Sequence, residues 1–308
     1  MERFRVEPSG PFLLSEANRY FGGWPTLASD PAAIVMAFPV EGWRTSAAVV
    51  VRQEASGALT GEVHHSAGED ADAAWRTALA ALSADADGSG YAAVGERDPV
   101  IGGLQAHFGM VRPVCFHTPY EAGSALVIGH RLSILQTRAI RKRMAEEHGD
   151  ALAIADQRFH AFPRPQVLLG LDRFGAVFGE KMERVHGLAE AALAGRLDRD
   201  RLRHMPYADA LADLRSLRGV GAFIAQGILI RGASLADEVS DDEVTAQAVQ
   251  YAYALPELPD RATILRIAAG WRPYRAWAMV LLHMWLRREG GPAFKRPGRR
   301  GARPAAPR

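Results

Sequence analysis

Two short helical patterns are joined by a glycine turn, Leu217-Arg218-Gly219-Val220-Gly221, which limits how this part of the chain can fold. Glycine lets the backbone turn sharply and leaves the neighbouring amides unobstructed by side chains. Amides at the start of a helix bind phosphate well, because the helix dipole favours an anion there. The stretch therefore indicates either a hairpin that holds a nucleic-acid backbone or a plain connector between two helices.

Two neighbouring carboxylates, Asp241 and Asp242, follow the turn at the predicted start of another helix. A hairpin that holds a nucleic-acid backbone, followed by a carboxylate, suggests chemistry on DNA. An aspartate at the start of a helix is also a good N-cap, because its side chain accepts hydrogen bonds from the first free amides. Both roles stay open for Asp242 at this point.

The composition is that of an ordinary globular protein, with 48% apolar and 23% charged residues in a chain of 308. The single cysteine, Cys115, excludes a disulfide framework and a cysteine-ligated iron–sulfur cluster. No apolar run is long enough to span a membrane, and the N-terminus lacks a signal-peptide pattern. We therefore expect a cytoplasmic protein, associated with the nucleoid if it acts on DNA, and no membrane partner.

Positive charge is concentrated at the C-terminal end of the chain. Residues 291–308 contain six of the 37 basic residues and no acid, so 31 basic residues remain against 35 acidic ones elsewhere. This Pro-, Gly- and Arg-rich segment is predicted to be a disordered basic tail, either attracted to phosphate or simply solvated. Any nucleic-acid contact made by the rest of the chain must come from a local patch.

The predicted fold class is α+β and predominantly α. Residues 1–90 are predicted to form a small β-rich domain, with strands at Ala47–Arg52 and Leu59–Val63 and a helix at Ala71–Leu82. Residues 91–290 are predicted to be helical. The stretch Ala84–Pro99 has the composition of a linker.

The helical part contains recognisable start signals. Thr118 is predicted to cap a helix that has Pro119 in its first turn, with Glu121 completing a capping box. Asp260 is predicted to cap a later helix. Residues 151–171 are predicted to be a short connection that ends in a helix from Arg164. The last helix carries an apolar stripe with helical spacing: Trp277, Val280, Leu281, Met284 and Trp285.

The hairpin, the later aspartate and the run Trp271-Arg272-Pro273-Tyr274-Arg275 occur in one order. Together they resemble the helix-hairpin-helix DNA glycosylase superfamily, and in particular its bacterial 3-methyladenine DNA glycosylase II branch. The resemblance extends over most of the chain from Asp98 to Gly290. It implies a helix-hairpin-helix glycosylase region at residues 91–290, preceded by the small β-rich domain.

The resemblance assigns DNA contacts to the hairpin residues Leu217, Gly219, Val220 and Gly221, whose glycine amides meet a DNA phosphate in that family. It also implies a structural monovalent cation bound by the backbone carbonyl groups of Arg215, Leu217 and Val220. No other cofactor is expected.

Asp242 matches the catalytic aspartate of that family, and its neighbour Asp241 leaves the register open by one residue. Trp271 matches a tryptophan of the base pocket. Tyr274 and Phe223 are further candidates for the pocket, because aromatic faces attract cationic bases. For all three aromatic residues, packing in the core is the alternative.

His130 and Arg131 match positions that fill the gap left by a flipped-out base. Three departures from the family pattern concern catalysis and selectivity. Relatives that also cleave the strand carry a lysine where this chain has Phe223, and a pocket tyrosine is replaced by Gly227. His130 stands where a glutamine is common. Without the lysine no Schiff base can form at that position, so a glycosylase without lyase activity is expected.

The resemblance therefore implies a monofunctional DNA glycosylase that flips out and excises alkylated bases of the 3-methyladenine type in base excision repair. The product is an abasic site. The expected partner is double-stranded DNA that contains damaged bases, and a monomer is expected. The alternative is a helix-hairpin-helix DNA-binding protein that lacks catalytic activity.

Overall fold

The computed structural model describes residues 1–21 and 24–288, so the predicted basic tail lies outside the described residues. The chain divides into two compact units. The first contains Met1–Ser9, Leu13–Ala86 and Val114–Leu235, and the second contains Gly10–Phe12, Asp87–Pro113 and the residues from Ala236 onward. Within the described ranges, no helix combines the length and the apolar character needed to cross a membrane.

The strands, in chain order, are β1 (Glu2–Val6), β2 (Thr26–Leu27), β3 (Asp30–Pro39), β4 (Ser46–Gln53), β5 (Leu59–His64), β6 (Ala151–Ile154) and β7 (Gln157–His160). The strands predicted at residues 47–52 and 59–63 correspond to β4 and β5.

The helices, in chain order, are α1 (Leu14–Phe21), α2 (Glu69–Ala81), α3 (Ala92–Arg97), α4 (Pro99–Phe108), α5 (Pro119–Gly129), α6 (Ile134–His148), α7 (Pro165–Leu169), α8 (Glu180–Leu193), α9 (Arg199–His204), α10 (Tyr207–Arg215), α11 (Ala222–Gly227), α12 (Glu243–Ala252), α13 (Arg261–Ala268) and α14 (Arg275–Arg288). A π-helical turn, Ile228–Gly232, continues α11, and a 3-10 turn, Ala269–Trp271, continues α13. The predicted class, α+β and mainly helical, is confirmed.

An antiparallel sheet with the order β1-β5-β4-β3-β2 forms one side of the first unit. The apolar run in β4 is buried on both faces, because both faces of the sheet are covered. On one face, Trp75 of α2 stacks on Phe4 of β1 with ring centroids 5.8 Å apart. A Cβ at Gly61 would lie 2.3 Å from the Trp75 ring, so this packing requires glycine in β5.

The other face of the sheet packs against a hairpin that the sequence did not predict. Strands β6 and β7 pair, and Leu152, Ile154 and Phe159 join the core formed by the sheet. The predicted connection over residues 151–171 is therefore wrong in its first part, while α7 confirms a helix in its second part. Each strand has only four residues, which is too short for alternating burial to stand out from a loop.

The turn after β3 connects the sheet to the helices of the first unit. Trp43 has a positive φ of 60° and lies in the helical core. Its indole N–H donates to the carbonyl oxygen of Ala192 at 3.0 Å, and its ring meets Tyr120 edge-on at 5.3 Å. The sheet and these helices thus share one unit. The three-part division at residues 90 and 290 stays a prediction, although its first boundary lies near Ala86–Asp87, where the chain passes between units.

The second unit includes residues 87–99, where the sequence predicted a linker. The structure forms α3 there, and Asp98 caps α4 by accepting from the Val100 amide at 3.0 Å. A Cβ at Gly95 would lie 2.8 Å from the Gly102 Cα atom. Gly95 allows α3 and α4 to pack closely, so the linker prediction is wrong over residues 92–99. Residues 84–91 form no helix or strand and include the point where the chain passes between the units.

Helix α14 provides a large part of the core of the second unit. Of the predicted stripe, Trp277, Val280, Leu281 and Met284 are buried and Trp285 is half-buried. The predicted cap of α13 is also confirmed, because Asp260 accepts from the Thr263 amide at 2.8 Å.

The predicted start of α5 is confirmed in part. Thr118 accepts from the Glu121 amide at 3.0 Å, and Pro119 is the first helical residue. The Glu121 side chain does not complete a capping box. It instead pairs with His117 at 2.8 Å and with the Arg141 guanidinium. The Glu121 carboxylate thus pairs with a cation of another helix instead of with the amide at the start of its own helix. Only the tertiary structure shows this pairing.

Glu121 is a buried carboxylate whose partners keep it ionised. Burial alone would raise its pKa, but His117 and Arg141 overcome that effect and bring the pKa to about 2. The indole N–H of Trp24 donates to His117 Nε2 at 3.2 Å. Since that nitrogen accepts, His117 donates from Nδ1 to Glu121.

We predict that Glu121→Gln lowers the free energy of unfolding at pH 7 by on the order of 3 kcal/mol, because it leaves two buried donors with a weaker acceptor. The folded pKa lies below the usual value of 4.5, so the unfolded chain binds the proton first as the pH falls. The difference from the wild type should therefore shrink between about pH 4.5 and pH 2. Urea unfolding at several pH values measures it.

Glu183→Gln is the matched control, because Glu183 forms an exposed ion pair with Arg218 and should change stability little. Equal effects of the two substitutions at pH 7 would contradict the role assigned to Glu121.

Candidate functional site

The predicted hairpin is present between α10 and α11, in the first unit. The Val220 amide donates to the Leu217 carbonyl oxygen at 3.1 Å, and Val220 is buried in the helical core. Gly219 has a φ of +77°, a left-handed conformation that favours glycine. Gly221 is exposed and is the N-cap residue of α11. The apolar side chains thus anchor the turn and leave its glycines at the surface.

The hairpin amides are open to a ligand. Among the residues that the structure describes, neither the Gly219 amide nor the Gly221 amide has a hydrogen-bond acceptor. Both precede α11, whose first amides also lack carbonyl partners within the helix. Such a set of N–H donors suits an anionic oxygen, and a phosphate of a nucleic-acid backbone supplies one.

The N-terminal part of α8 contacts the hairpin. A Cβ at Gly219 would lie 2.4 Å from Arg184 Cγ, so the turn rests directly on the stem of this arginine. The Arg184 guanidinium pairs with Glu180 at 2.5 Å in the same helix. Arg218 of the hairpin pairs with Glu183 at 2.6 Å. The hairpin and α8 therefore keep a defined relative position.

The same turn of α8 holds the loop between α5 and α6. The Lys181 amine donates to the carbonyl oxygens of Ile128 and His130, each at 3.1 Å, and burial lowers its pKa. His130 and Arg131 are exposed, and Arg131 has a positive φ of 62°. The structure thus brings two predicted DNA-contacting segments, the hairpin and the His130–Arg131 loop, onto one supporting helix.

Phe223 lies in the first turn of α11, and 57% of its surface is exposed. It is accessible beside the hairpin and is not a core residue. Gly227, at the end of the same helix, faces Leu126 of α5. A Cβ there would lie 2.4 Å from the leucine Cδ1 atom, so Leu126 occupies the space that a larger side chain would need.

Asp242, in the second unit, is the N-cap residue of α12. Its Oδ1 atom accepts from the Thr245 amide at 3.0 Å, and its Oδ2 atom accepts from the Thr245 hydroxyl at 3.3 Å. The residue as a whole is half-buried. The neighbouring Asp241 pairs with Arg261 at 2.5 Å. Asp241 is thus engaged by a cation, whereas Asp242 is oriented by the helix start.

Trp271 and Tyr274 lie in the core of the second unit. Trp271 is completely buried, and its indole N–H donates to Asp98 Oδ2 at 2.9 Å and to the Tyr253 hydroxyl at 3.1 Å. The Tyr274 hydroxyl accepts from the Gly90 amide at 3.2 Å. Core packing thus accounts for the contacts of both residues, and their place in a base pocket stays a prediction.

The Asp98 cluster was not found from the sequence. Asp98 caps α4 and also accepts from the Tyr253 hydroxyl, which lies far away in the chain. Burial, with the hydrogen bond and charge of Asp98, raises the pKa of Tyr253 well above its usual range. In the sequence, Asp98 lies at the end of the predicted linker, and nothing in the local pattern indicates its distant partners.

No cluster of three or more His, Cys, Asp or Glu side chains that could hold a metal ion occurs in the described residues. The predicted cation would be held by backbone carbonyl groups instead. Of these, the Leu217 oxygen is directed into the hairpin, where it accepts from Val220.

No protein-family profile matches the chain. A DNA-3-methyladenine glycosylase of Bacillus subtilis (strain 168) is 22% identical over 203 residues, which cover 64% of this chain and 67% of that protein.

Solved structures of DNA glycosylases share the fold of nearly the whole chain. MBOgg1, in complex with a low affinity DNA ligand, has a TM-score of 0.71 at 17% identity and covers 94% of this chain and 96% of its own. The 3-methyladenine DNA glycosylase from Archaeoglobus fulgidus has a TM-score of 0.69 at 17% identity, with 94% and 99% covered. An 8-oxoguanine glycosylase/lyase of Clostridium acetobutylicum, in complex with double-stranded DNA, has a TM-score of 0.64 at 14% identity, with 91% and 93% covered.

The chain therefore has the fold of DNA glycosylases. The resemblance to the helix-hairpin-helix glycosylases, and among them to the 3-methyladenine enzymes, is confirmed.

We predict that Gly221→Asp weakens duplex binding by on the order of 10-fold or more for every sequence, because a carboxylate would face the phosphate that the amides bind. A side chain at Gly221 meets no atom within 4 Å, and aspartate is a good N-cap, so the melting temperature should not fall. Fluorescence anisotropy with labelled duplexes measures the affinity.

Gly221→Asn has the same size without the charge and should bind nearly as well as the wild type. Gly103→Asp adds the same charge at an open, exposed position of α4 and serves as the second control. Unchanged affinity of a folded Gly221→Asp variant would identify the hairpin as a plain connector.

Proposed function

We propose that the protein is a monofunctional DNA glycosylase that excises alkylated bases of the 3-methyladenine type in base excision repair and leaves an abasic site. The observation that carries this proposal is Asp242, a half-buried residue whose carboxylate is fixed at a helix start and which follows, in the chain, a hairpin with open amides. The names of the similar proteins support the same reaction class.

A base inside a duplex hides its glycosidic bond within the stack, so the nucleotide must leave the helix at a cost of a few kcal/mol. The open amides of Gly219 and Gly221 hold the backbone during this step. Arg131, exposed in a loop that Lys181 fixes, fills the gap by stacking its planar guanidinium.

Cleavage of the glycosidic bond leaves positive charge on the sugar. The carboxylate of Asp242 stabilises that charge and orients water for attack. An alkylated purine such as 3-methyladenine is cationic and departs readily, so no strong general acid is needed. The exposed ring of Phe223 offers an aromatic face to a cationic base.

The proposed partner is double-stranded DNA with damaged bases, bound by a cytoplasmic, nucleoid-associated monomer. A monovalent cation on the carbonyl groups of Arg215, Leu217 and Val220 would fit, since uncharged backbone oxygens suit such an ion. It would add positive charge next to the phosphate. The residues of the chain perform the reaction themselves, so no other cofactor is proposed.

The second candidate is a DNA-binding protein of the same fold without catalytic activity. Its support is that Asp242 already has a structural role as the cap of α12. Release of free base separates the two candidates. A panel of duplexes with single lesions, including 3-methyladenine and 8-oxoguanine, also reveals base preference. Release of alkylated bases supports our proposal, and duplex binding without release of any base supports the second candidate.

We predict that Asp242→Asn slows base release under single-turnover conditions by on the order of 100- to 1000-fold, because it removes the charge that faces the oxocarbenium ion. Asparagine can still accept the hydrogen bond from the Thr245 amide, so duplex affinity and melting temperature should stay close to wild type. A fall in melting temperature large enough to explain the lost activity would favour a purely capping role.

Asp241→Asn is the matched control and should slow release much less, since Asp241 is paired with Arg261. A reversed order of the two effects would show that the register is off by one residue.

A further prediction concerns the reaction product. Because Phe223 replaces the lysine of strand-cleaving relatives, borohydride should trap no covalent adduct between protein and DNA, and the strand should stay intact until alkali is added. Phe223→Lys provides the informative comparison, since it restores an amine at that exposed position. A strong adduct with the wild type would contradict the proposal and point to another amine, such as Lys181.

A further inference from the structure

The hydroxyl group of Thr245 connects Asp242 to helix α14. Thr245 lies in the first turn of α12 and is completely buried. Its Oγ1 atom is 3.3 Å from Asp242 Oδ2, 2.8 Å from Ser240 Oγ and 3.1 Å from His283 Nε2. The hydroxyl is therefore the centre of a polar cluster whose outer groups come from two parts of the second unit, the segment directly before α12 and helix α14.

The number of available protons fixes the direction of these hydrogen bonds. A hydroxyl group has one proton to donate and two lone pairs to accept with. An ionised Asp242 can only accept, so the Thr245 proton is directed towards Asp242. The Thr245 oxygen then accepts from the Nε2–H of His283 and from the Ser240 hydroxyl. The sulfur of Met279 lies 3.3 Å from Ser240 Oγ and 3.7 Å from Thr245 Oγ1, but a thioether is a weaker acceptor than a hydroxyl or a carboxylate. This arrangement uses the full hydrogen-bonding capacity of the Thr245 hydroxyl.

The geometry assigns to Thr245 the role of positioning residue for Asp242, with His283 and Ser240 holding the hydroxyl in place. The inference rests on the proposed function, because it concerns the carboxylate that the proposed reaction uses. The Thr245 amide orients Oδ1 and the hydroxyl orients Oδ2, so both carboxylate oxygens are fixed by one residue.

A purely structural threonine would act differently. The cap of α12 needs only the Thr245 amide, which any residue except proline supplies at this position. The hydroxyl adds nothing to the backbone hydrogen bonds of the helix. It fixes the rotation of the carboxylate group and thereby the direction of its oxygens, and such preorganisation matters when charge develops nearby.

The kinetic test compares Thr245→Val with Thr245→Ser. Valine keeps the shape and removes the hydroxyl, whereas serine keeps the hydroxyl and removes a methyl group. We expect Thr245→Val to slow single-turnover base release by on the order of 10- to 100-fold at unchanged duplex affinity. Thr245→Ser should stay within roughly three-fold of the wild type. Equal rates of the two variants, both folded and close to the wild type, would overturn the inference.

A double-mutant cycle separates positioning from a general loss of stability. If Thr245 acts through the Asp242 carboxylate, Thr245→Val should cause little further loss in an Asp242→Asn background. An undiminished effect of Thr245→Val in that background would show that the hydroxyl acts by another route and would overturn the inference.

A measurement on the free protein tests the hydrogen bonds without DNA. Long-range proton–nitrogen NMR spectra at pH 8 report which ring nitrogen of His283 carries hydrogen, and His283→Gln assigns the signal. We expect hydrogen on Nε2. Hydrogen only on Nδ1 would mean that Nε2 accepts the single Thr245 proton, and this would overturn the inference.

The outcomes for the two proposals are distinguishable. No base release by the wild-type protein on any lesion refutes the proposed function and with it the catalytic consequence of the cluster. Base release by the wild type with a normal Thr245→Val variant refutes only the positioning role.

Discussion

The contact between Gly219 and Arg184 is the constraint on which the arrangement of the predicted DNA surface depends. The hairpin can pack against α8 only because Gly219 adopts a positive φ and lacks a Cβ, which would overlap the Arg184 side chain. The same turn of α8 carries Lys181, which holds the loop of His130 and Arg131 through two carbonyl groups. One helical turn thus orients both the segment that would hold the backbone and the segment that would fill the gap. A rigid support of this kind is what precise positioning of a bound duplex requires.

The carboxylate proposed to act on the sugar is fixed by a different means, within the second unit. Asp242 caps α12, and both of its oxygens are bonded to Thr245. The capping role and the catalytic role are compatible, because the hydrogen bonds that satisfy the helix start also restrict the rotation of the carboxylate. Asp241 lacks this arrangement and is instead neutralised by Arg261. The structure therefore gives two adjacent aspartates different electrostatic surroundings, whereas the sequence preferred Asp242 only through its match to the family and left the register open by one residue.

The sequence predicted the features that depend on local backbone chemistry. The hairpin follows from its glycines, the start of α13 from Asp260, and the buried face of α14 from its apolar spacing. It failed where distant contacts decide the outcome. Glu121 pairs with a cation on another helix instead of with the Thr118 amide, and residues 92–97 of the predicted linker form α3. At the site, Thr245 and His283 are 38 positions apart and meet only through tertiary packing, so no local pattern could have linked them.

Hydrogen exchange on the protein bound to a duplex with a stable abasic-site analogue tests most directly whether the hairpin and the loop hold DNA together. Within residues 217–225, the Gly219 and Gly221 amides have no acceptor among the described residues, and residues 222–224 lie at a helix start. A bound phosphate should therefore slow the exchange of these amides measurably. We predict protection at residues 217–225 and 129–133 in the complex, with no change in the β6–β7 hairpin at residues 151–160. Duplex binding without protection at residues 217–225 would contradict this account.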